Sequence, residues 1–280
     1  MGVFLVVLQY VISGALVGLV VGATGVGGGS LMTPLLTLVF GVPAQVAVGT
    51  DLLFASITKS GGAWTYARHG QVRWSIVFWL ALGSVPASCL TLAAVQQWHP
   101  DAVQFNALLR PILGLALLLT AAALAFRTQI QMLGARVMAN AGPALVGGAN
   151  GACIATAGTD RSLRSLPTLA LGALIGVLVT LTSVGAGAIG VVALFFLYPS
   201  LAARQLVAAD IAHAVPLTLI AGLGHAALGT VDWAMLLALL LGSLPAIHIG
   251  ALLSGRLPER VLRVFLASML LLIGLRLLWI

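Results

Sequence analysis

The sequence predicts an all-α polytopic membrane protein built from two homologous, inverted repeats, each with about four transmembrane helices plus one short broken or re-entrant helix. Three observations predict it. The chain is 61% hydrophobic and only 7% charged over 280 residues, with mean hydropathy +1.15. A soluble domain covers its surface with about 25% charged residues, so lipid must be the solvent here. Most of the apolar segments approach the roughly 20 residues that a helix needs to cross the hydrocarbon core. The segments also recur. GALVG at 14–18 returns as GALIG at 172–176, and GVGGG at 25–29 faces SVGAG at 183–187. GTDL at 49–52 faces AADI at 208–211, Gly70–Trp74 faces Gly229–Trp233, and LGSVPA at 82–87 faces LGSLPA at 241–246. The order is kept, and the offset is 158 in the first two matches and 159 in the rest.

Copy one places helices near 3–21, 46–67, 75–95 and 104–126; copy two places them near 166–184, 203–228, 233–254 and 260–280. The first repeat is thus expected over 1–126 and the second over 166–280. The linker, 127–165, carries Arg127, Arg136, Asp160, Arg161 and Arg164, so part of it is wet. Its Gly/Ala-rich middle, 143–158, leaves a dip into the membrane open. No basic stretch precedes the first apolar run, so residues 3–21 are expected as a retained helix and not a cleaved signal.

Two shorter apolar pieces lie near 30–40 and 188–197, each after a glycine-rich stretch. At about 1.5 Å per residue, such a piece covers only about half a bilayer core. A broken helix or re-entrant hairpin is expected. If each such element counts as a crossing, each copy crosses five times and the copies are inverted. Arg68, Arg73, Arg127, Arg136, Arg161, Arg164, Arg204, Arg256, Arg260 and Arg263 then share one side, and Arg276 alone takes the other. The positive-inside rule favours this arrangement, with both termini outside.

The net charge of +7 resides mainly in these loop arginines, which meet lipid phosphates. There is no basic stripe with interleaved aromatics, so nucleic acid is not an expected partner. Cys89 and Cys153 have no metal or redox spacing and read as plain small residues. Trp64, Trp74, Trp79, Trp233 and Trp279 suit the interfacial belts.

Gly25-Val26-Gly27-Gly28-Gly29-Ser30 carries more glycine than a packing face needs. Each helical glycine costs about 1 kcal/mol against Ala. Non-helical backbone survives in a bilayer only where protein or a wet cavity satisfies it. The stretch is therefore expected to line a cavity, with the next helix pointing its free N–H groups at an anion. Copy two supplies Thr182, Ser183, Gly185, Ala186 and Gly187 for the same purpose. Thr50 joins this candidate anion-binding set. Gly14, Gly18 and Gly22, four residues apart, read instead as a helix-packing face.

The order GVGGGSLMTPLL, AVGTDLL, GQVRW, LGSVPAS, followed by a degenerate second copy, resembles the sulfite exporter TauE/SafE family, also called the toluene-sulfonate uptake permeases. The resemblance covers nearly the whole chain outside the linker. Copy two has Val192 where copy one has its proline, Pro34. The resemblance implies a permease for sulfite, sulfonates or related organic or sulfur-containing anions, coupled to an ion gradient, in the bacterial plasma (inner) membrane.

Charges at bilayer depth are candidates for function. Asp51 and Asp210 occupy equivalent positions, where a buried carboxyl group could carry a proton; the alternative is that each caps backbone amides. His213 follows Asp210 by one turn and joins the proton-coupling set. Lys59, the only lysine, is read as an anion counter-charge or a partner for Asp210, against snorkelling or a structural ion pair. Arg110 reads as snorkelling, His225 and Asp232 as helix-end residues, and His248 as packing.

The expectation is a proton-coupled, alternating-access carrier of small anions. The alternative is a channel or cation/proton exchanger using Asp51 and Asp210. An enzyme built on Asp210, His213 and His225 lacks any nucleophile–base or metal spacing. A small anion and membrane lipid are the expected partners, with a homo-oligomer left open; neither metal nor cofactor is expected.

Overall fold

The computed structural model describes residues 2–24, 29–98, 102–140, 165–199, 201–253 and 259–279. Among these are ten helices and no strand. They are α1 Gly2–Thr24, α2 Gly29–Leu38, α3 Ala44–Arg68, α4 Trp74–Trp98 and α5 Ala102–Asn140. The second set is α6 Ser165–Thr182, α7 Ala188–Leu197, α8 Ala203–Ala227, α9 Trp233–Leu253 and α10 Glu259–Trp279. Six of them, α1, α4, α5, α6, α8 and α9, are long and apolar enough to cross a membrane. The short pieces are short helices, ten residues each, as their sequence predicts. Helix α5 differs from expectation: it continues past 126 to Asn140, beyond the apolar run, with Gly134 inside it. The 143–158 stretch lies outside the described residues.

Glycines set the closest contacts. A Cβ on Gly14 would strike the Leu239 backbone, and one on Gly18 the Ser243 backbone, so α1 and α9 touch main chain to main chain. The same happens between α6 and α4: Gly172 meets Leu80 and Gly176 meets Ser84. Gly242 against Val11 and Gly83 against Leu169 complete the two sets. Each contact in one seam has its counterpart in the other, 158 or 159 residues away. In lipid, apolar side chains gain little by leaving one hydrocarbon for another, so close van der Waals approach at small residues drives such pairing.

Helices α3 and α8 cross at the centre. Their contacts run in opposite order: Leu53 meets Gly222, the Ser56 hydroxyl donates to the Val215 carbonyl at 3.4 Å, and Ile211 packs at Gly62. Helix α5 meets α10 in the same opposed sense, through Gly114 with Gly274 and Leu278, and Leu118 with Gly274. Helix α3 is not among the apolar spans because Gln45, Asp51, Thr58, Lys59, Ser60 and Arg68 lower its hydropathy, and its first half is sheathed by other helices. Ala47, Val48, Thr50, Asp51, Leu52, Leu53, Phe54 and Ala55 are all buried. Both central helices end alike. Gly70 (φ +64°) and Gly229 (φ +72°) take the left-handed conformation that glycine adopts without strain. The next N–H then reaches back five residues, from Gln71 to Tyr66 and from Thr230 to His225.

Candidate transport site

The ionisable residues that the sequence singles out converge where α3 and α8 meet the second broken helix. Asp51 and Asp210 are each the eighth residue of their helix, so neither caps its own N-terminus. Both are fully buried. The Thr33 amide donates to Asp51 Oδ2 at 3.2 Å, and the Thr33 hydroxyl donates to the same oxygen at 2.5 Å. Asp51 Oδ1 has no hydrogen-bond partner; the Ser183 hydroxyl lies near this carboxylate without closing a bond to it. Neither oxygen of Asp210 has a partner.

Lys59 crosses from α3 to the second half. Its ammonium donates to the Ala186 carbonyl at 3.2 Å, and the side chain is only 6% exposed. It acts electrostatically on Asp210 and Asp51, more strongly on Asp210. It does not snorkel: the head is held inside the bundle. His213 stands one turn after Asp210, with its Nε2 paired to the Ser84 hydroxyl at 2.7 Å and its Nδ1 without a partner.

Residues 183–187 are unwound between α6 and α7. Ser183 (φ +58°), Gly185 (φ +123°) and Gly187 (φ +132°) all hold positive φ. Thr182 holds the break in shape: its hydroxyl donates to the Leu178 carbonyl at 2.6 Å and accepts from the Val184 amide at 3.1 Å. The first copy's Gly25, Gly27 and Gly28 lie outside the described residues, and Gly29 and Ser30 open α2.

Other expected residues are placed elsewhere. The Thr50 hydroxyl accepts the Asp232 amide at 3.1 Å and ties α3 to the start of α9. Asp232 caps that helix, its Oδ1 accepting the Met235 amide at 3.0 Å. His225 pairs with the Thr180 carbonyl (3.0 Å) and the Thr230 hydroxyl (2.9 Å). Arg110 lines a separate cavity of about 300 Å³ with Thr37, Gly41, Pro43 and Leu277. Among the described residues, no three His, Cys, Asp or Glu side chains gather as metal ligands.

Three residues of the cluster escaped sequence reasoning: Thr33, Ser84 and Gly190. Ser84 lies inside a repeated run and Thr33 in the short apolar piece after another, but a hydroxyl in a membrane helix more often bonds its own i−4 carbonyl, as Thr58, Thr120 and Thr218 do here. Gly190 packs directly on Asp210, so that a Cβ there would collide with Oδ1.

A model of the family described as "Sulfite exporter TauE/SafE" matches residues 10–277. The probable membrane transporter protein YjnA of Bacillus subtilis (strain 168) is 34% identical over 267 residues, covering 95% of this chain and 98% of that protein. The probable membrane transporter protein YdhB of the same organism is 26% identical over 254 residues, covering 89% and 90%. No solved structure matches the chain. A family match of that span, on a bundle of helices fit for a bilayer, means that the chain belongs to the sulfite exporter TauE/SafE family, as an integral membrane transporter of the bacterial plasma membrane.

Proposed function

We propose that the chain is a secondary transporter of a small oxyanion or organic sulfonate, coupled to protons and working by alternating access between two inverted halves. One observation carries the reading. A buried ammonium, Lys59, reaches from α3 of one half to the unwound backbone of the other at Ala186. A charge at this depth is costly unless something compensates it; Asp210 and Asp51 share that role, and a bound anion takes it over when a carboxylate is protonated. The broken segment adds the free amides that open α7, aimed as helix N-termini are at negative charge. Asp51, Asp210 and His213, on the same central helices, are the groups for proton coupling.

The relative's name supports transport, and the family's name supports sulfite as cargo. The opposed contacts of α3 with α8 and of α5 with α10 support inversion, since equivalent helices of a parallel duplication would point the same way. The glycine seams pair α1 with α9 and α4 with α6, each across the two repeats, so the units that rock are these mixed helix pairs. A cation/proton exchanger draws on a specific observation too, the bare carboxylate of Asp210. Lys59 weighs against it, because an ammonium acting on that carboxylate repels a cation.

Reconstituted protein should move sulfite or methanesulfonate into vesicles and not sodium or potassium. Flux of monovalent cations alone would remove the anion reading.

A further inference from the structure

We propose that the two equivalent carboxylates have separate jobs: Asp210 binds the transported proton, while Asp51 is a positioning residue that fastens the broken helix α2 to α3. This rests on the proton-coupled reading above and assigns its coupling site.

The asymmetry lies in what surrounds each carboxylate. Asp51 Oδ2 receives two donors from Thr33. At the 158-residue offset, the counterpart of Thr33 is Val191, which has no side-chain donor. Asp210 accordingly has both oxygens unpartnered, although it is fully buried. The counterpart of Gly190, which packs on Asp210 Oδ1, is Met32, a fully buried side chain. Copy two thus lacks the clamp, and its glycine lets the α7 backbone close directly on the carboxylate. Protonating Asp51 would weaken both bonds from Thr33 and loosen α2. Protonating Asp210 breaks no hydrogen bond.

The groups around Asp210 define what the proton does. Helix α3 contributes Lys59 and Asp51, which act on it or on each other electrostatically. Helix α7 contributes Gly190, and α6 contributes Ile175 beside that glycine. Helix α4 contributes Ser84, occupied by His213, the other titratable group on the Asp210 face. With both carboxylates ionised, the single ammonium is outnumbered and an incoming anion is repelled. When Asp210 takes one proton from water, its carboxylate becomes a carboxylic acid and Lys59 is free to hold the anion. Loss of the proton to water on the other side restores the repulsion and expels the anion. Proton and anion therefore travel in the same direction.

Two measurements test this on the full chain. Infrared difference spectra of the protein in nanodiscs, titrated with acid, should show a buried carboxylic-acid carbonyl band. The band should be lost in Asp210→Asn and kept in Asp51→Asn. Thr33→Val should leave its midpoint unchanged, whereas Gly190→Ala should shift it. A band lost in Asp51→Asn and kept in Asp210→Asn overturns the assignment, as does a midpoint that moves with Thr33→Val and not with Gly190→Ala. These last two variants decide the matter if either Asn variant fails to fold. In proteoliposomes, methanesulfonate uptake should follow an inward proton gradient. Asp210→Asn should keep methanesulfonate exchange but lose the gradient dependence, while Asp51→Asn should be slower and still gradient-driven. The reverse pattern, or loss of gradient dependence only in His213→Gln, overturns the proposal. If the wild type moves neither methanesulfonate nor sulfite, the transport reading falls, and the infrared result still decides which carboxylate takes the proton.

Discussion

Lys59 is the residue on which the chemistry turns, because its ammonium is held inside the bundle by a carbonyl of the opposite half. Replacing it with Met keeps the length of the side chain and removes the charge. A charge-assisted hydrogen bond contributes about 1.5–3 kcal/mol, so anion binding in Lys59→Met should weaken roughly ten- to hundredfold; the concentration dependence of methanesulfonate uptake checks this. Thr33→Val should lower the stability of the detergent-solubilised protein by about 1–3 kcal/mol, because a buried carboxylate loses a donor; thermal unfolding measures it. Lys59, Asp51 and Asp210 were legible in the sequence, since a charge inside an apolar run stands out. Their neighbours were not. Thr33 and Ser84 are ordinary hydroxyl residues until the fold sets them against a carboxylate and an imidazole.

At the scale of helices, the glycines divide into two kinds. Gly14, Gly18, Gly172 and Gly176 sit in helices and admit a neighbouring backbone. Gly185 and Gly187 hold conformations that side chains rarely adopt. Gly176→Leu should destabilise the α4–α6 seam by about 1–3 kcal/mol or more, the usual cost of overpacking a filled interface. Gly187→Ala should cost about 1–3 kcal/mol in backbone strain at the break. Thermal unfolding in detergent distinguishes these from a surface control such as Leu90→Ala, which lies on an exposed face and should change little. The sequence distinguished the two kinds by spacing: four-residue intervals inside an apolar run against glycines crowded together. It could not show that α5 runs on to Asn140, because a helix that leaves the apolar core carries no hydropathy signal at the exit.

For the whole molecule, inversion is the claim with the widest consequence, since it places the equivalent turns after α3 and α8 on opposite membrane faces. In a background with Cys89 and Cys153 replaced by Ala, single cysteines at His69 and at Leu228 should react with an impermeant maleimide from opposite sides of oriented vesicles. Labelling of both from one side would show parallel repeats and remove the proposed alternating-access symmetry.

The sequence by itself determined that lipid is the solvent, that the same helical pattern occurs twice, where short helices follow glycine-rich breaks, and which family the chain resembles. Composition, periodicity and repeated motifs are local properties of the chain, and the bilayer reads them segment by segment. The tertiary structure decided that Lys59 reaches Ala186 and that the equivalent carboxylates have unequal surroundings. It also decided that Thr50 ties α3 to the start of α9. Those are contacts between distant parts of the chain. Which donor meets which acceptor depends on how two nearly identical halves pack against each other, and a substitution such as Thr33 to Val191 acquires its meaning only in that packing.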